Sequence, residues 1–173
     1  MNNINEYHLC EIGHTESFIS IELIECIDKI DTLEFLKKYK ISNFWSGKIF
    51  IKRLINKIFK YKLNQQMTWD SKFWKEINIQ MISSKLNIKN KKSINDLIMG
   101  LSSKRKKDVM KYQLMMKENI DLGFPLFITG KCLKMIGGIE LDEKKIYMLD
   151  GSRRLIASLL NESKNNNILL ISS

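Results

Sequence analysis

A chain of 173 residues is of single-domain size, long enough to bury a core without disulfide staples. With 44% hydrophobic and 28% charged residues it is not a disordered chain, and it has no apolar run near the ~18–20 residues that cross a bilayer as a helix. The net charge of +10 favours polyanionic partners such as nucleotides or nucleic acid, although a chain rich in Ile, Lys and Asn throughout also supplies lysines without any function. Cys10, Cys26 and Cys132 are scattered and odd in number, which suits reduced thiols. The N-terminus lacks the basic-then-apolar layout of a signal peptide, so the expected location is the cytoplasm.

In chain order, His8, Cys10 and His14 are metal-capable, but no fourth ligand or recognised spacing accompanies them. Residues 17–25, SFISIELIE, mix β-branched and aromatic residues in partial alternation and predict a strand. Asp31 and Thr32 can cap a short helix over TLEFLKKYK, with its acid early and its lysines late. Residues 47–62 form an amphipathic helical pattern, Phe50, Ile51, Leu54, Ile55, Ile58 and Phe59 opposing Lys52, Arg53, Lys57 and Lys60. That helix packs its apolar face on a core or lies on an anionic surface; peripheral membrane contact is the less favoured reading. A further helix is predicted over 69–87, and Ser93 can cap a run towards Gly100. Trp45, Trp69 and Trp74 read as core or lid residues.

A helix is predicted from Ser102 to Glu118, opening on the basic run Ser103, Lys104, Arg105, Lys106 and Lys107. That run is a solvated face, or it contacts nucleotide phosphate or nucleic acid. Pro125 leads into an apolar run around Phe127 and Ile128 that suits a strand, and Gly137-Gly138 makes a turn. KIYML is a strand, Ser152 to Asn161 a helix, and NNNILLISS a closing strand. The Cys132 thiol, beside Lys131, reads as a small buried group.

The chemistry is concentrated where KIYML meets the last helix, in Asp150, Gly151, Ser152, Arg153 and Arg154. Helix N-termini leave N–H groups unpaired beside a partial positive charge, and so bind anions. Gly151 lets the backbone bend and an anion approach, and arginine offers a fork matched to phosphate oxygens. Asp150 can hold Mg²⁺ or accept a proton from a hydroxyl. The competing reading is plain capping, since Asp-Gly is a common turn dipeptide. Two cations in a first helical turn oppose the dipole unless an anion is present, which weighs towards the anion site.

LDGSRRLIASLL resembles the signature of the ParB/sulfiredoxin superfamily. Gly151, Arg154 and Ala157 reproduce its GxxRxxA pattern, and Asp150-Gly151 with Arg154 are similar to its DGxHR motif. Gly123, Pro125, Leu126 to Ile128 and Ile146 to Leu149 stand where that family has its turn and its two strands. The resemblance covers residues 96–173, with 17–25 as a first strand and 30–95 as a helical elaboration. It implies an α/β (α+β) fold, a small mixed sheet with packed helices. By the same resemblance Gly151, Ser152, Arg153 and Arg154 hold nucleotide phosphate, and Asp150 is the catalytic and Mg²⁺-binding acid, with ATP or CTP as the nucleotide. The implied activity is a kinase moving phosphate to a small hydroxyl acceptor. The alternatives are a non-catalytic nucleotide switch or DNA-binding module and, more weakly, a nuclease or nucleotidase; whether the chain is an enzyme at all stays open.

The chain also departs from the family. Ser152 stands where sulfiredoxins require cysteine, so reductase chemistry is not expected. Arg153 replaces the histidine of DGxHR, and the helix-turn-helix that follows the core in partition proteins is not expected here. Glu22 or Glu25 is the candidate for the base that family kinases place near the first strand.

Overall fold

The computed structural model describes residues 6–10, 19–32, 34–35, 76–88, 98–135, 142–143, 145–161 and 165–173. Six strands, β1 (Glu6–Cys10), β2 (Ile19–Ile30), β3 (Asn78–Ile88), β4 (Leu126–Thr129), β5 (Ile146–Asp150) and β6 (Asn165–Ser172), close into a barrel in the order β1-β2-β3-β6-β4-β5. The pairings β1–β5 and β4–β6 are parallel and the other four antiparallel, so the sheet is mixed. Among the described residues three helices accompany it: α1 (Ser103–Lys117), α2 (Gly130–Met135) and α3 (Ser152–Leu160). The α/β class read from the sequence therefore holds. Among the described residues no helix is long and apolar enough to cross a membrane.

The strands differ in how they earn their burial. β4 is buried at every position and β5 at its first four, as expected where apolar runs are covered on both faces. One parity, Phe127, Ile146, Met148, Ile168 and Leu170, packs with Ile21, Ile82 and the α3 residues Leu155 and Leu159 in a single cluster. Leu155 and Leu159 are spaced i, i+4, so both project from one side of α3. The adjoining side of α3, Ile156 and Ala157, packs on Val109 of α1, with Tyr112 and Met116 around them. α3 is thus held between strands and α1, and this fixes the junction that starts it.

β2 is longer than the predicted 17–25 strand and is interrupted by two register shifts against β3. Between Leu23 and Glu25, and again between Cys26 and Asp28, one residue of β2 has no partner, and the extra residues Ile24 and Ile27 are exposed. Such bulges bend and twist a strand, a deformation that barrel closure requires.

The helix predicted over 69–87 is corrected from residue 78 onward: Asn78–Ile88 is a strand paired with both β2 and β6. Among its described side chains Ile79, Ile82 and Ser84 are buried, and cross-strand partners on both sides override the weak β-propensity of Asn, Ser and Lys. β1 and α2 were not predicted. Asp31 does cap the turn after β2, its Oδ1 accepting from the Glu34 N–H at 2.8 Å. The amphipathic run 47–62, the three tryptophans, His14, Ser93 and the Gly137-Gly138 turn lie outside the described residues.

Candidate functional site

α1 ends in a Schellman motif, which aims the chain at the site. The Asn119 N–H bonds the Met116 carbonyl at 3.1 Å and the Ile120 N–H the Met115 carbonyl at 2.9 Å, with Asn119 left-handed at φ 57°. Asp121 then turns the chain, its Oδ1 accepting from the Gly123 N–H at 2.7 Å. Gly123 is left-handed at φ 66°, and Pro125 enters β4 while its carbonyl accepts from the Leu169 N–H at 2.8 Å. The segment 121–125 is thereby fastened beside the start of α3.

Gly151 adopts φ 95°, ψ 14° as the residue before α3, and brings no capping side chain to the first-turn N–H groups. A Cβ at this position would lie 2.8 Å from Pro125 Cα and 3.2 Å from Arg154 Nη2. Glycine is needed here for both the left-handed backbone and the close approach of 125. Within the described residues, then, the cap of α3 is open.

Both arginines have protein partners. Arg154 donates from Nη1 to the Leu122 carbonyl at 2.7 Å and from Nη2 to Asp150 Oδ2 at 3.1 Å. Its side chain is 17% exposed, and two anchors fix the plane of its guanidinium. Arg153 pairs with Asp108 of α1, an exposed cation on a partly exposed acid. The anions that offset two cations in a first helical turn are therefore, in the protein alone, Asp108 and Asp150. Each guanidinium still has unused donors, because five N–H groups exceed these contacts.

An open cleft of about 880 Å³ lies against this junction, bounded by the end of α1, the 119–125 turn, α3 and the start of β6. Arg154 is the one member of the predicted set Asp150, Gly151, Ser152, Arg153 and Arg154 that lines it. Ser158, Asn161 and Asn165 to Asn167 bring amides and a hydroxyl, while Phe124 and Leu122 bring apolar surface. Asn161 Nδ2 donates to the Gln113 carbonyl at 3.2 Å, and Ser158 bonds the Asn166 side chain. The amide wall is thus tied to α1, α3 and β6 together.

Other predicted residues fall elsewhere. Glu22 and Glu25 are on β2, separated in the sheet from β5 by β1, and neither lines the cleft. His8 and Cys10 are in β1, and no group of three His, Cys, Asp or Glu able to hold a metal occurs among the described residues. Cys132 is buried, and that burial pushes its thiol pKa up against the hydrogen bond from Thr129 and the charge of Lys131. It is an inert thiol rather than a nucleophile.

The reading of the sequence missed Asp108, Leu122 and the asparagines. Asp108 had a signal, the single acid that closes SKRKKD, and NNN preceding a strand was visible as well. That a carbonyl at 122 receives Arg154 had none, since it depends on the tertiary path of the turn.

No protein-family model matches the chain, and neither a curated protein nor a solved structure matches it.

Proposed function

We propose that the β5–α3 junction binds the phosphates of a nucleotide, as the ParB/sulfiredoxin-like motif implies, with the adjoining cleft receiving the rest of the ligand. The observation that carries this reading is the pairing of an uncapped helix N-terminus at Gly151 with a guanidinium held rigidly one turn in. Ser152, Arg153 and the N–H groups after Gly151 complete the phosphate contacts. The cleft, at about 880 Å³, is of ligand size and mixes apolar surface with convergent amides.

Asp150 Oδ1 has no partner among the described residues, and one carboxylate oxygen together with phosphate oxygens suffices for Mg²⁺. Arg154 beside the same carboxylate repels a free cation, so the metal would enter with the phosphates. When bound, Mg²⁺ would neutralise charge on the transferring phosphoryl group. The chain's own residues position phosphate through Arg154 and orient a hydroxyl acceptor through Asp150, which is the arrangement a kinase reaction needs. A non-catalytic nucleotide switch is the second reading, favoured by one observation: among the described residues Asp121 is the one acid lining the cleft, and its Oδ1 is spent on the Gly123 turn.

Calorimetry with ATP, ADP and CTP in the presence of Mg²⁺ tests the proposal. Binding should weaken at least tenfold in Arg154→Ala and less in Arg153→Ala, with thermal melts recorded on each variant. Absence of binding by all three nucleotides, or unchanged affinity in folded Arg154→Ala, would sink it. Phosphate transfer by the wild type and its loss in Asp150→Asn would separate the kinase from the switch.

A further inference from the structure

The outer face of α1 is a strip of unmatched positive charge. At 100° per residue, Lys104, Lys107, Lys111 and Leu114 fall within about a quarter-turn, opposite the inward-facing Val109, Tyr112 and Met116. Lys104, Lys107 and Lys111 are exposed, and none has an ion-pair partner among the described residues. Arg105 is exposed at the same end of the helix but not on the strip, and the one acid of the helix, Asp108, is engaged by Arg153. α1 has no acidic residue in its first turn and no side-chain hydrogen bond at Ser102, so its basic start also opposes the helix dipole. A surface of this kind gains most from an external anion that repeats along its length.

We infer that this face docks on the sugar-phosphate backbone of a nucleic acid, independently of base sequence. Lys104 to Lys111 extends about 10 Å along the helix, over which a duplex presents about six phosphate charges. Three lysine contacts fit that spacing; the carboxylate at the strip's edge, Asp108, is engaged by Arg153, and Glu118 lies beyond the end of the helix. An anionic membrane fits less well, because the apolar stripe that such a helix would insert is already packed on α3. Met110 and Leu114 are the exposed apolar residues in and beside the strip, too few for insertion. This surface is separate from the Asp150–Arg154 junction, and the inference stands whether or not that junction binds a nucleotide.

The test is fluorescence anisotropy with a labelled 20-base-pair duplex between 50 and 200 mM salt. Removing three phosphate contacts in Lys104→Ala/Lys107→Ala/Lys111→Ala should make the slope of log K against log salt shallower by about 2.7. Affinity would then fall about 40-fold less than in the wild type over that range. The Lys→Arg triple variant at the same positions should keep the wild-type slope. Lys131→Ala/Lys134→Ala/Lys145→Ala, which removes equal charge elsewhere, should also leave it unchanged. No duplex binding at 50 mM salt overturns the inference, as does an equal slope change in the two alanine triples. Binding to phosphatidylserine vesicles without binding to the duplex overturns it in favour of a membrane. Thermal melts confirm folding; the substituted lysines of α1 are exposed, so little stability should change.

Discussion

Replacing Gly151 with alanine tests whether the junction is built as described. Its φ of 95° lies in the left-handed region, which costs an L-residue about 1–2 kcal/mol. The added Cβ would sit 2.8 Å from Pro125 Cα, an atom of the backbone. Pro125 cannot retreat freely, because it is buried and its carbonyl is bonded to the Leu169 N–H at 2.8 Å. Forced displacement of packed atoms costs about 1–3 kcal/mol, and the loss of unfolded-state freedom returns about 0.4–1 kcal/mol. Gly151→Ala is therefore expected to destabilise by about 3 kcal/mol, which lowers the melting temperature by about 6–12 °C in a domain of this size. Gly123→Ala is the comparison: its φ is 66°, but the nearest atom to a Cβ is the end of the Arg154 side chain at 3.3 Å. A loss of about 1 kcal/mol is expected there. Urea unfolding and thermal melts followed by circular dichroism measure both, and a Gly151→Ala melting temperature within about 2 °C of wild type would refute the close packing of Pro125 against the helix start.

Phe127 is fully buried in the cluster that seats α3, so Phe127→Ala should cost about 3–5 kcal/mol by the same unfolding assay. A loss below about 1 kcal/mol would show that this cluster does not carry the fold. Cys132 has a pKa raised by burial, so the folded state keeps its proton after the unfolded thiol has ionised. Its contribution to stability is complete below about pH 8.5 and is lost as pH rises from there through the folded pKa. In a Cys10→Ser/Cys26→Ser background, native Cys132 should alkylate at least tenfold more slowly than the urea-unfolded chain; equal rates would contradict its burial.

The last third of the chain was legible because local and tertiary signals agree there. Ile146 to Leu149 form a continuous apolar run, Asp-Gly interrupts it, and Leu155 and Leu159 carry the helical spacing that the core uses. β3 was not legible, since Asn78, Gln80, Ser83 and Ser84 dilute its apolar residues and its identity comes from β2 and β6 on either side. The bulges at Ile24 and Ile27 blurred the period of β2 for a related reason: an extra residue reverses the alternation beyond it. At the site, glycine and arginines could be read locally, whereas the acids that receive those arginines could not. Asp108 lies 45 residues from Arg153 in sequence, and only the packing of α1 on α3 brings them together.

Those acids give the two arginines different duties. Arg154, 17% exposed and bonded to both a carbonyl and a carboxylate, is held in place before any ligand arrives. Arg153 is 42% exposed and its partner Asp108 29%, and a pair so open to water is worth only about 0–1 kcal/mol. An incoming phosphate can recruit Arg153 from Asp108 at that small cost, while the fixed Arg154 supplies orientation. Asp108→Asn removes the competitor without removing the cation, so phosphate affinity should rise, by no more than about fivefold for a pair of this strength. Calorimetry with inorganic tripolyphosphate reads this directly. A fall in affinity would show instead that Asp108 holds Arg153 in the binding position, reversing its assigned duty from competitor to support.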